Sequence, residues 1–207
     1  MADDDKSARR RAKTSEAELI EAGLAEFAER GFAAARLDDV AKRAGVAKGT
    51  IYLYFNDKED LFRAAVRSRI GGALAGAESM AAMDDLSAEQ ALRAVLVTAH
   101  RNIAQSDAPI LIRILIAEGG RFPDLLSFYH TEVISKGRAL LTRLIQRGVE
   151  NGEFRAGATT TELPMLVIAP ALMAVLWRLL FDDIDPIDPE RFLEAHLDLV
   201  FDGVRRA

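Results

Sequence analysis

Residues 31–58 read GFAAARLDDVAKRAGVAKGTIYLYFNDK, and this stretch decides how the first part of the chain folds. Asp38 to Ala44 predicts a short helix with Leu37, Val40, Ala41 and Ala44 on its apolar side. Gly45 stands where a sharp turn needs a permissive backbone, and Val46 follows it as an apolar plug. Lys48 to Tyr54 predicts a second short helix that buries Ile51 and turns Lys48, Thr50 and Tyr52 outward. Small Ala41, then Gly45, then Ile51 suit two helices crossing closely over a tight turn. That is the pattern of a helix-turn-helix, whose second helix enters a DNA groove.

Working outward, helical patterning extends over the whole chain. Ser15 to Arg30 places Leu19, Ile20, Leu24 and Phe27 at helical spacing, and Gly31 stops the helix as a left-handed cap. Asp57-Lys-Glu-Asp60 opens a helix through Leu61, Phe62, Ala65, Val66 and Ile70. Residues 80–86 read as a linker, and Ser87-Ala-Glu-Gln90 as a capping box for a helix with Leu92, Val95, Leu96 and Ile103. Asp107 and Pro109 begin another, and Pro123 leads into a long helix ending near Gly152. Thr159 to Pro164 start the next, which runs to Phe181. Asp188-Pro189 caps the last one, which ends near Arg205. The expected fold is all-α with about nine helices, and no strand alternation or repeat interrupts it.

Composition agrees with an ordered helical protein. Of 207 residues 50% are apolar and 7% aromatic. There is no Cys, so disulfides and thiolate metal sites are excluded. The N-terminus lacks the apolar segment of a signal peptide, which makes a cytoplasmic location the default. The net charge of −5 is unusual for a protein that meets DNA, but it is unevenly spread. Residues 6–58 carry a small excess of Lys and Arg, whereas the rest of the chain is acidic. The basic excess therefore lies with the candidate helix-turn-helix.

Two C-terminal helices carry a second expectation. The segment 163–181 approaches the length that crosses a bilayer, but it holds Pro164, Pro170 and Arg178 and adjoins an acidic loop. It reads instead as a helix shared between a core and a subunit interface. The final helix, with Phe192, Leu193, His196, Leu197, Val200 and Val204 along one side, is its expected partner. Two such helices from each of two chains make a four-helix dimer interface, to which Leu166, Pro170, Phe192, His196, Leu197, Val200 and Val204 are assigned. A homodimer also supplies two half-sites one DNA turn apart.

The run FAERGF over 27–32 and LDDVAKRAGVAKGTIYLYFNDKEDLF over 37–62 closely resemble the TetR/AcrR family of transcriptional regulators. The later segment IAEGGRFPDLLSFY, 116–129, resembles a subset linked to control of efflux genes. The resemblance implies a basic arm over 1–14, a DNA-binding domain over 15–60 and a helical effector-binding and dimerisation domain over 61–207. It implies a repressor that binds a pseudo-palindromic operator as a dimer and is released by a small-molecule effector, with no other cofactor.

Residue roles follow from the same resemblance. Lys48 contacts phosphate or a guanine edge, Thr50 offers its hydroxyl or methyl, and Gly49 lets the backbone approach the duplex. Tyr52 and Tyr54 match the family's aromatic pair, with core packing the alternative for Tyr54 and the preferred reading for Phe55. Lys58 holds a phosphate beside the N-terminal amides of its helix. Arg36 stands where a Ser or Thr usually caps, and Ala47 replaces a common Ser. Arg36 is read as compensating by a phosphate contact, with a solvated surface charge the alternative. The cluster Arg9, Arg10, Arg11 and Lys13 is either a minor-groove arm or a solvated tail. For the effector pocket the candidates are His100, Arg113, Phe122, Phe128, Tyr129, Met173, Trp177 and Arg178.

Other classes fare worse. There is no GxSxG, no HExxH and no phosphate loop after a strand, so an enzyme is not expected. His100, His130 and His196 are too scattered in sequence to suggest a metal. The alternatives are a dimeric ligand-binding interaction protein whose helix-turn-helix no longer binds DNA, and an activator of the same fold.

Overall fold

A computed structural model describes residues 15–83, 85–105 and 108–205. The expected arm at 1–14 and Asp107 lie outside them. The described residues are helical, with a single isolated bridge between Phe154 and Arg205 and no strand. Two compact units emerge, residues up to Ser68 together with Ile110–Phe128, and Arg69–Pro109 together with Tyr129 onward.

The first unit begins with α1 (Glu16–Arg30). Ser15 accepts from the Glu18 amide while the Glu18 carboxylate accepts from the Ser15 amide, a reciprocal cap that satisfies two otherwise orphaned donors. Gly31 ends the helix at φ 78°, ψ 155°, a conformation open to glycine but outside the left-handed helical region expected of it. Helix α2 (Leu37–Arg43) and α3 (Lys48–Ile51) follow, then α4 (Lys58–Val66). The last continues through a π-helical turn, Arg67–Gly71, into α5 (Gly72–Ala81).

Phe32 organises the core of this unit. Its ring lies 5.1 Å from Phe27, 5.9 Å from Phe62 and 5.0 Å from Phe122. Phe122 follows α7 (Ala108–Glu118), and Leu111, Ile114 and Leu125 are buried as well. Arg113 on α7 donates to the Ala28 carbonyl at 2.8 Å, and Glu118 accepts from the Ala33 amide. The boundary expected at residue 60 falls at the start of a helix whose Leu61, Phe62, Ala65 and Val66 are all buried. The compact units divide after Ser68 instead, and a segment of distant sequence completes the first.

The second unit contains α5, α6 (Ala88–Gln105), α9 (Lys136–Glu150), α10 (Leu163–Phe181) and α11 (Pro189–Val204). Helix α8 (Pro123–Tyr129) passes through a π-helical turn, His130–Ser135, into α9, giving the long helix expected after Pro123. Counting each continuous run once, the described residues form nine helices. Leu92, Leu96, Leu140, Leu144, Phe154 and Phe201 make one apolar core. The Ser87–Gln90 capping box is present. Glu153 adds a second cap from a distant loop, accepting from the Ala88 and Glu89 amides at 3.0 and 2.9 Å.

Candidate nucleic-acid interface

The helix-turn-helix is set by three local devices. Gly45, at φ 70°, makes the turn that a side chain would strain. The Val46 amide donates back to the Ala41 carbonyl at 3.0 Å, closing the turn, and Ile51 is fully buried beneath it. Glu26, itself 2% exposed, takes Arg43 at 3.1 Å and Arg30 at 3.0 Å. That buried carboxylate ties α2 to α1, and as an internal anion it needs both guanidiniums.

Helix α3 is shorter than the expected Lys48–Tyr54. After Ile51 the chain tightens into three-residue bonds, from Leu53 N–H to Thr50 and from Tyr54 N–H to Ile51. This tightening drives Phe55 inward, as expected, and leaves Tyr52 and Tyr54 exposed. Leu53 is 84% exposed, an apolar side chain at the outer end of α3 that the residue pattern gave no reason to single out. Arg36, Lys48 and Gly49 are also exposed and Thr50 is half-buried. Neither Arg36 nor Ala47 caps its helix through a side chain.

Asp38, in the first turn of α2, was not anticipated. One carboxylate oxygen accepts from Lys48 Nζ at 2.8 Å and the other from the Tyr52 hydroxyl at 3.1 Å. The Lys48 hydrogen bond is the main reason the Asp38 carboxyl is held below its usual range, and Asp38 in turn raises the Lys48 ammonium. No sequence periodicity joins positions ten and fourteen residues apart across a turn, so only the folded backbone reveals the group.

Lys58 departs from the expected phosphate role. Its ammonium donates to the Phe32 and Ala33 carbonyls at 2.9 and 2.8 Å and lies over the rings of Phe32 and Phe122. The Asp60 amide at the same helix end already donates to the Asp57 carboxylate. The carbonyls of the turn that follows α1 draw the cation inward, and this helix start is capped from within by Asp57.

Two family matches cover most of the chain. Residues 19–65 match the bacterial regulatory proteins of the tetR family, and residues 82–200 the tetracyclin repressor-like C-terminal domain. The chain belongs to the TetR family. It is 25% identical over 192 residues to the transcriptional repressor KstR2 of Rhodococcus jostii, covering 90% of this chain and 89% of that one. The regulator TtgR of Pseudomonas putida is 26% identical over 197 residues, covering 91% and 92%. The solved fatty acid degradation regulator FadR of Bacillus halodurans superposes with a TM-score of 0.76 at 24% identity, over 94% of this chain and all of that one. Like other TetR-family proteins, this chain is a helix-turn-helix transcriptional repressor with a ligand-binding C-terminal domain.

Three of the residues expected to line a pocket lie in the first unit. Arg113 donates to the Ala28 carbonyl, Phe122 packs on Phe32, and Phe128 lies under Arg63 and Arg67. The sequence by itself does not say which unit α7 completes.

In the second unit, Trp177 donates to the Asp185 carbonyl at 2.6 Å and packs against Phe181. Met173 is exposed, Arg178 is half-buried, and burial pushes the Tyr129 hydroxyl up to about 12. His100 is buried with His196, Nε2 to Nδ1 at 2.8 Å, and His196 Nε2 meets the Val167 carbonyl at 2.8 Å. A carbonyl only accepts, so His196 carries its proton on Nε2 and His100 donates to His196 Nδ1. Burial first, and His196 second, bring His100 down to about 4.

The expected interface residues divide in a similar way. Leu166 is 65% exposed, but His196, Leu197, Val200 and Val204 are buried in the protomer's own unit. Pro170 and Phe192 are half-buried. The apolar stripe of α11 thus packs on α6 and α10 of the same protomer. The surface left over is the other side of α10, where Met165, Leu166, Leu172, Met173 and Leu180 are exposed, with Leu199 on α11.

Proposed function

We propose that this repressor binds a two-fold related operator as a homodimer in the cytoplasm and leaves it when a small molecule occupies the second unit. The observation that carries the reading is the exposure of Arg36, Lys48, Gly49, Tyr52 and Tyr54, with Thr50 half-buried among them, around a tightly closed Gly45 turn. A short helix and the turn after it that offer a cation, hydroxyls and aromatic rings suit phosphates and base edges together. Lys58 is left out of that set. The arm at 1–14 remains a candidate for the minor groove.

Dimerisation is supported by the exposed face of α10. Five large apolar side chains on one helix of a water-soluble regulator make a patch of the kind that a subunit interface covers. The helix is apolar and long enough to cross a membrane, yet Val167, Ala171 and Val175 pack inward. We assign its outer face to a second copy.

The effector acts through differential affinity. It shifts the protein from the DNA-binding arrangement only as far as it binds the other arrangement better, and a coupling of about 1–3 kcal/mol weakens operator binding roughly 5- to 150-fold. His100, Tyr129, Trp177 and Arg178 remain the candidates to meet it. A relative 26% identical over 140 residues is a fatty acid metabolism regulator protein, which supports a largely apolar effector.

Fluorescence anisotropy on the chain's own upstream intergenic DNA tests the reading. The wild type is compared with Tyr52→Ala, and the upstream duplex with a scrambled one, across a salt series. A salt-dependent preference for the upstream duplex that weakens in the variant is expected. Absence of binding to either duplex at low salt overturns it in favour of a ligand-binding interaction protein.

A further inference from the structure

We propose that Asp38 is a built-in phosphate surrogate that holds Lys48 and Tyr52 until DNA displaces it. The inference rests on the DNA-binding reading above. Lys48 is the first residue of α3, and Tyr52 directly follows its end. One carboxylate bonds both, a separate oxygen to each, at 2.8 and 3.1 Å. A carboxylate and a phosphate present the same charge sign and the same kind of acceptor, so DNA has to compete with Asp38 for both groups.

The position of Asp38 gives the competition its consequence. It sits on α2, which is fixed to α1 by the Glu26 pair with Arg43, so it does not withdraw when the duplex arrives. Once Lys48 and Tyr52 turn to a phosphate, the carboxylate is left facing a polyanion. Binding to any duplex is therefore weaker than the same surface would give without it. Asp39, next in sequence, is held by Lys42 and does not touch either DNA-facing group.

The experiment is a double-substitution cycle on the full chain. Anisotropy is recorded for the wild type, Asp38→Asn, Lys48→Met and the pair, on a scrambled duplex at 50 mM salt. Asp39→Asn controls for the loss of one negative charge. Asp38→Asn is expected to tighten binding roughly 2- to 30-fold for a dimer, the range that two exposed ion pairs span. Most of that gain should vanish in the Lys48→Met background, and Asp39→Asn should gain less.

A gain that persists without Lys48, or that Asp39→Asn matches, overturns the proposal and leaves only a general charge effect. Weaker binding by Asp38→Asn also overturns it, because Asp38 would then be orienting the pair for DNA. Thermal melts accompany each protein, and Asp38→Ser carries the same cycle if Asp38→Asn fails to fold. Failure of the wild type to bind the duplex at all overturns the DNA reading itself, which is a separate outcome.

Discussion

Acidification should loosen the second unit through one buried imidazole. His100 has a pKa of about 4 in the folded chain, against an ordinary 6.5. Above pH 6.5 neither the folded nor the unfolded ring holds the extra proton, and nothing is lost. Between 6.5 and 4 the unfolded chain binds a proton that the folded one refuses, so stability falls as pH falls. Below 4 both are charged and the loss levels off. From these two values, the loss between pH 7.5 and pH 5 is about 2 kcal/mol per chain. Solvent screening reduces it to about 1–2 kcal/mol. His196 is lowered too, mainly by burial, and adds to the effect with the same sign.

Urea unfolding followed by circular dichroism, at pH 7.5 and pH 5 and one protein concentration, measures this. His100→Gln keeps a donor for His196 Nδ1 but cannot titrate. The wild type should lose about 1–2 kcal/mol more than the variant over that interval, and the His100 ring proton resonances should stay still until well below pH 5. Equal losses in the two proteins, or a His100 resonance that titrates near pH 6.5, would refute the assignment of a buried neutral pair.

Gly148→Ala should lower the melting temperature by several degrees, because the new Cβ would collide with the Phe154 ring; such overpacking costs about 1–3 kcal/mol. A melt unchanged from wild type would mean that the ring moves freely aside. Lys58→Met removes two bonds to half-buried carbonyls and should cost about 1–3 kcal/mol in denaturant unfolding, with the salt dependence of DNA binding unchanged. A slope shallower by about one unit per protomer would restore the phosphate role. Leu166→Glu should shift sedimentation from dimer to monomer, since it buries a charge in the proposed interface; a persisting dimer places the interface elsewhere.

Much of this protein could be read along the chain because its signals are local. Caps such as Ser87 with Gln90, and the Gly45 turn between Val40 and Ile51, act within a few residues, so helix boundaries came out close to those observed. The recognition surface belongs to the same class, because the exposure of Lys48 and Tyr52 follows from burying Ile51 on a short helix. Amphipathic spacing also found the apolar stripe of α11. It could not say whether that stripe meets another chain or the protomer's own α6 and α10, since burial looks identical from either side.

Tertiary structure decided what depends on residues far apart in sequence. The pairing of Asp38 with Lys48 and Tyr52, the turning of Lys58 onto the carbonyls after α1, and the joining of His100 to His196 each need the backbone to return to itself. The same holds for α7, which the sequence places among the C-terminal helices and the fold lends to the first unit. Periodicity determines which face of a helix leaves water. The partner that face meets is set by packing and by the charges and open carbonyls that the folded chain brings within reach.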